Sequence, residues 1–122
     1  MNKKTYIVVG IIVLIAALGT IKYISKTPAS QAAMDAFAKC LADKGAVMYG
    51  AYGCPHCQNE KKAFGDSFRF IHYVECPDNP NECMTRGITG YPTWTFPDGR
   101  HLEGEQGLKK LSEASGCTLL AL

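Results

Sequence analysis

The stretch Ala46-Val47-Met48-Tyr49-Gly50-Ala51-Tyr52-Gly53-Cys54-Pro55-His56-Cys57 constrains this chain more than any other. An apolar run with the character of a buried strand ends in a turn, and a Cys-x-x-Cys pair then opens a helix. The first sulfur is thereby set against a helix N-terminus, where free backbone N–H groups and the helix dipole favour an anion. A thiolate is the reactive form of cysteine, so Cys54 is the expected nucleophile. Cys57 lies one turn deeper on the same face and can close onto Cys54 as a disulfide. Pro55 suits the first helical turn, where its missing N–H costs nothing. His56 is placed to add positive charge or a hydrogen bond to the Cys54 sulfur. A metal half-site or a purely structural disulfide are the alternatives, and the strand-turn-helix setting favours a redox pair over both.

The rest of the sequence builds an α/β domain around that turn. A helix is predicted from Ser30 as cap to Lys44, with Gly45 as its stop and Met34, Phe37 and Leu41 on its inward face. After the strand at 46–52, a helix runs from the cysteine pair to about Phe64 and stops near Gly65. Arg69 to Glu75 alternates as a second strand, so the two strands and the helix between them form a βαβ unit with parallel pairing. Pro77–Asn81 reads as a loop and Glu82–Arg86 as one helical turn. Thr93–Phe96, the turn Pro97-Asp98-Gly99-Arg100 and His101–Glu103 form a hairpin. Leu108 and Leu111 mark a closing helix that ends at Gly116. The expectation is a four-stranded mixed sheet with flanking helices.

The N-terminus is of another kind. Tyr6 to Ile21 is a run of sixteen residues without charge, preceded by Lys3 and Lys4. Extended past Lys22 to Ile24, with the lysine amine snorkelling, it makes about 28 Å of helix, close to one hydrocarbon core. A single membrane-spanning anchor is the preferred reading, and a signal peptide cleaved after Ala29 or Ala32 is its rival. Residues 25–30 read as a linker, giving an anchor or signal segment at 1–26 and a folded domain at 27–122. The net charge of +2 is unevenly spread, because residues 1–26 carry four lysines and no acid. That leaves nine of the 13 Lys and Arg against all 11 Asp and Glu in the domain, which has no basic stripe and is a poor nucleic-acid binder. Six cysteines in 122 residues favour an oxidising compartment, so the domain is expected outside the cytoplasm, in the periplasm or at the cell exterior.

The order of elements resembles the thioredoxin fold, and Cys54-Pro55-His56-Cys57 resembles the motif of the Dsb-type periplasmic thiol oxidases. Gly87-Ile88-Thr89-Gly90-Tyr91-Pro92-Thr93 is similar to the thioredoxin loop that faces the active-site cysteines. That resemblance implies a cis bond before Pro92, with Tyr91, and Gly53 opposite, lining a substrate groove. The run from Phe37 to Cys117 resembles the thioredoxin-like domain fused to bacterial and plant vitamin K epoxide reductase homologues. Met48-Tyr49-Gly50-Ala51, Tyr73-Val74-Glu75-Cys76, Gly90-Tyr91-Pro92-Thr93-Trp94 and Ser115-Gly116-Cys117 carry it. One hydrophobic segment does not supply that family's four-helix quinone-reducing part, so the resemblance implies re-oxidation by a separate membrane protein of that kind. Two positions depart from the family pattern. Gly53 stands where a tryptophan usually precedes the first cysteine, and Met48 stands where thioredoxin carries a buried aspartate.

The resemblance also implies a Cys76–Cys83 disulfide, which leaves Cys40 and Cys117 as the remaining pair. From the residues alone fifteen connectivities stay open. So does a zinc reading of Cys54, Cys57, Cys76 and Cys83, although the second half lacks the tight hook of a zinc ribbon. His72 and His101 read as surface or satisfied residues, and Lys61, Lys62, Lys109 and Lys110 as solvated helix faces. Trp94 and Phe96 read as core. Glu60 is near enough to Cys57 for proton traffic, though an exposed position is the simpler expectation. Together these readings point to an extracytoplasmic thiol–disulfide oxidoreductase acting on protein thiols with no cofactor beyond its own sulfurs. A reductase or isomerase on the same fold, and a redox-inert module held by disulfides, are the alternatives.

Overall fold

A computed structural model describes residues 2–23 and 28–120. The chain divides between Gln31 and Ala32 into two compact units. The first is dominated by α1 (Lys3–Tyr23), whose described side chains are exposed on every side. The expected membrane-spanning helix is not met: among the described residues no helix is long and apolar enough to cross a membrane. The linker expected at 25–30 lies partly outside the described residues. Its last three residues already belong to α2 (Pro28–Asp43), which starts on a proline and not on a Ser30 cap, as suits a first helical position.

In the second unit, β1 (Val47–Gly50) pairs parallel with β2 (His72–Glu75) and antiparallel with β3 (Thr93–Thr95), which pairs antiparallel with β4 (His101–Glu103). The sheet order is β2-β1-β3-β4, a mixed four-stranded sheet. Helices α3 (Pro55–Phe64), α4 (Pro80–Thr85) and α5 (Gly107–Ser115) join α2 around it. This arrangement fits an α/β thioredoxin-like fold.

Alternation along β1 divides the interior. Met48, with Trp94 and Leu102 in register on the neighbouring strands, joins Phe37, Leu41, Phe64 and Leu111 in the main core. The Phe64 ring sits 6.0 Å from both Phe37 and Trp94. Full burial of each such side chain stabilises the fold by roughly 1.5–3 kcal/mol. On the opposite face Tyr49 packs with Cys76 and Cys83, supported by Val47, Val74 and Ile88.

The second strand is shorter than its sequence pattern suggests, because Gly65–Phe70 forms a 3₁₀ helix. Arg69 binds the Asp66 carbonyl at 2.6 Å and the Asp35 carboxylate at 2.7 Å, and buried Ser67 donates to the same carboxylate at 2.6 Å. These bonds tie 66–69 to α2 and take Arg69 out of the sheet. Pro80 likewise starts α4 earlier than the expected turn at Glu82, by the same preference for proline in a first turn.

Candidate active site

The turn between β1 and α3 places the two sulfurs at different depths. Cys54 is the N-cap of α3, with extended backbone (φ −90°, ψ 116°), and Pro55 follows in the first turn. The Cys57 N–H donates to the Cys54 sulfur at 3.3 Å, so the N-cap side chain satisfies a free N–H of the first helical turn. Cys54 is half-buried, whereas Cys57 is fully buried, and the two are free thiols in this structure. Burial, and then the hydrogen bond with Cys54, push the Cys57 thiol up to about 12. One sulfur therefore meets solvent and the other is sealed beneath it as a neutral thiol.

Across from the pair, the Tyr91–Pro92 bond is cis. The Cys54 thiol donates to the Tyr91 carbonyl oxygen at 3.6 Å, so this loop faces the reactive sulfur. Pro92 is buried, while the rings of Tyr91 and Tyr52 are exposed, at 42% and 68%. Gly53 is exposed, and a Cβ there would meet nothing within 4 Å. Its lack of a side chain leaves the approach to Cys54 open. A shallow groove continues from Tyr91 past Ile88, Met84 and Pro80 to the Cys76–Cys83 loop.

The remaining cysteines are bonded. Cys40 joins Cys117 at 2.06 Å and Cys76 joins Cys83 at 2.01 Å. Cys76 and Cys83 are thus committed to each other and do not converge with Cys54 and Cys57. Among the described residues no three His, Cys, Asp or Glu side chains are grouped to hold a metal ion.

His56 Nδ1 lies 3.0 Å from Glu105 Oε2, which also accepts from the Asn59 amide at 3.2 Å. Glu60 departs from expectation most clearly, being fully buried. Its Oε2 accepts from the Gln106 N–H at 2.7 Å and its Oε1 from the Gly107 N–H at 3.0 Å. Glu60 and Glu105 therefore clasp the segment before α5 to the active-site helix. The signal was long-range, since the partners of Glu60 are backbone groups some 46 residues on. His72 and His101 are exposed. Lys61 is not merely solvated, because its ammonium lies 3.8 Å from the centroid of the Tyr73 ring.

Burial is the main cause that raises the Glu60 carboxyl above its ordinary value of 4.5, and the two backbone N–H bonds only partly oppose it. A carboxyl raised on folding adds stability at low pH, and that contribution fades as pH climbs from 4.5 through the raised value. Glu60→Gln cannot titrate, so its stability relative to the natural protein should improve steadily as pH rises across that window. Denaturant unfolding at a series of pH values checks this. A constant difference between the two proteins would refute it.

No protein-family model matches the chain. Of the curated proteins, thiol-disulfide oxidoreductase LTO1 of Arabidopsis thaliana is 40% identical over 93 residues, covering 69% of this chain and 24% of the relative. Protein disulfide isomerase-like 2-2 of Oryza sativa subsp. japonica is 34% identical over 86 residues, covering 58% of this chain and 23% of the relative. The chain thus spans about a quarter of the length of these curated relatives, and their names support a thioredoxin-like domain here.

Proposed function

We propose that this domain is a thiol–disulfide oxidoreductase that passes a Cys54–Cys57 disulfide to substrate proteins. The observation that carries the reading is the pairing of a half-exposed sulfur at a helix N-terminus with a sealed one directly beneath it. In the oxidising direction a substrate thiolate attacks Cys54, the Cys54–Cys57 bond breaks, and Cys57 leaves and takes up a proton. A second substrate thiolate then displaces Cys54, leaving the dithiol and an oxidised substrate. The same steps reversed make a reductase or isomerase, and the name of the rice relative favours keeping isomerisation as the second reading.

The substrates fitting this site are exposed protein thiols, since Tyr52, Gly53 and Tyr91 leave an open, partly apolar approach to Cys54. We assign the work to an oxidising compartment outside the cytoplasm. Two closed disulfides in so small a domain support this. The apolar residues 1–26 would serve as the anchor or signal segment. Re-oxidation by a vitamin K epoxide reductase-like membrane protein is part of the proposal and rests on the sequence resemblance alone.

After mild reduction, limiting alkylating reagent at neutral pH should modify Cys54 well before the fully buried Cys57. That single modification should abolish exchange with a dithiol protein. Peptide mapping reads the first part and a refolding assay the second. Equal labelling of the two cysteines, or exchange that survives the block, would overturn the reading, and a redox-inert module would show no exchange at any stage.

A further inference from the structure

We propose that Tyr73 and Glu75 relay the proton of the buried Cys57, an assignment that rests on the thiol–disulfide reading above. The need for such a relay follows from the depth of the site. Cys57 must shed a proton before it can attack a mixed disulfide on Cys54, and regain one when it leaves, yet its sulfur is fully buried. Strand β1 offers no acid for this, since it reads Val-Met-Tyr-Gly.

The neighbouring strand supplies one. Tyr73 and Glu75 are two apart on β2, so they share a face, and they stand in register with Met48 and Gly50 of β1. The Tyr73 hydroxyl donates to Glu75 Oε2 at 2.6 Å, and Glu75 Oε1 accepts from the Tyr52 N–H at 2.7 Å. The carboxylate is thus held from both sides and aimed at the phenol. Glu75 is only half-buried and gives onto solvent.

Gly50 joins this pair to the sulfur. Its φ is not positive, so space and not backbone conformation calls for glycine there. A Cβ on Gly50 would lie 3.0 Å from the Cys57 sulfur and 3.1 Å from the Tyr73 hydroxyl. Both polar atoms therefore abut one point on the strand and are at most about 6 Å apart, a separation that one water can bridge. Burial, then the bond to Glu75, hold the Tyr73 hydroxyl above its ordinary value. It stays protonated at rest and passes a proton on without storing charge. The other titratable groups around the route are Cys54 at the N-cap of α3, Lys61 on α3 and Glu75 on β2, with the Lys61 ammonium on the Tyr73 ring. Glu60 takes no part, because both its oxygens are occupied at the start of α5.

In the resolving step the Cys57 proton moves through the bridging water to the Tyr73 oxygen as the Tyr73 proton moves to Glu75. The Cys57 thiolate attacks the Cys54 sulfur, the Cys54–Cys57 bond forms, and the mixed disulfide breaks with its electron pair on the departing thiolate. Glu75 then releases its proton to solvent, and Tyr73, which now carries the proton that came from Cys57, again donates to the carboxylate.

The test uses the reduced full chain and an aromatic disulfide, dithiobis(nitrobenzoate), whose thiolate absorbs on release. A concentration-dependent first phase reports attack by Cys54, and a unimolecular second phase reports attack by Cys57. Tyr73→Phe and Glu75→Gln should each leave the first phase unchanged. Each should slow the second by about a hundredfold, the lower end of the range of general acid–base assistance. Each should also show a larger solvent deuterium effect on that phase than the natural protein, which mere misplacement of the sulfurs would not produce. A second phase at the natural rate in either variant overturns the relay, as does a slowed phase with an unchanged isotope effect. If the natural protein itself shows no second phase, the thiol–disulfide reading fails, and the relay with it.

Discussion

Replacing Cys57 by serine is expected to turn a transient exchange into a trap. Cys54 keeps its place at the N-terminus of α3, half-exposed and facing the Tyr91 carbonyl, so it can still enter a mixed disulfide. Nothing inside the protein can then displace the bound thiol, because the fully buried Cys57 sulfur is the one group beneath it able to attack. Catalysed exchange should fall by ~10³ or more, as when one member of a catalytic unit is removed. Cys54-linked adducts should accumulate in proportion. Cys54→Ser should lose activity to the same extent and accumulate no adducts, which separates the two roles. Non-reducing electrophoresis with mass spectrometry of the trapped species makes the measurement. It would also show whether a polytopic membrane protein is among the partners. A Cys57→Ser protein that forms no adducts under oxidising conditions would leave a disulfide-held structural module as the surviving reading.

What the sequence discloses, and what it hides, follows from the range of the interactions concerned. The βαβ unit and the hairpin are legible because strand alternation, a Gly stop and the Pro-Asp-Gly turn are local signals. The extent of β2 is not. Arg69 and Phe70 continue its alternating pattern, but the bonds from Arg69 to Asp66 and Asp35 hold that segment in a 3₁₀ turn. The cysteine pair announces the site through its spacing alone, since a helix N-terminus is created wherever a strand turns into a helix. Its supporting groups do not. Glu60 looks like one more exposed acid on a polar helix, and only the return of residues 105–107 to α3 makes it a buried acceptor. The same return brings Glu105 to His56, a contact that the local pattern of the cysteine motif does not announce. Tyr73 and Glu75 look like strand filler. Their link to Cys57 depends on the register that sets Glu75 beside Gly50, which no single strand's pattern encodes.

The two structural disulfides should differ sharply in what they contribute, and removing the longer one should cost the fold far more stability than removing the shorter. Cys40 and Cys117 are 77 residues apart and close a ring of 78, whereas Cys76 and Cys83 are 7 apart and close a ring of eight. On the chain-entropy model the first stabilises by ~4.5 kcal/mol and the second by ~2.5 kcal/mol. Packing points the same way: Cys117 belongs to the main core and Cys40 packs against it, whereas Cys76 and Cys83 close a smaller cluster with Tyr49. A domain of this size has a net stability of about 5–15 kcal/mol, so losing ~4.5 kcal/mol consumes a large share of it. Each kcal/mol moves the melting temperature of a 60–100-residue domain by about 4–8 °C. The Cys40→Ala/Cys117→Ala protein should therefore melt at least about 18 °C below the natural one. Cys76→Ala/Cys83→Ala should lose roughly half as much. Thermal and denaturant unfolding without reductant measures both, and the alkylation order of Cys54 and Cys57 at low temperature checks that the active-site turn survives in each. Should the eight-residue ring prove the costlier loss, native packing around Tyr49, and not the entropy of the unfolded chain, would govern the stability of this domain.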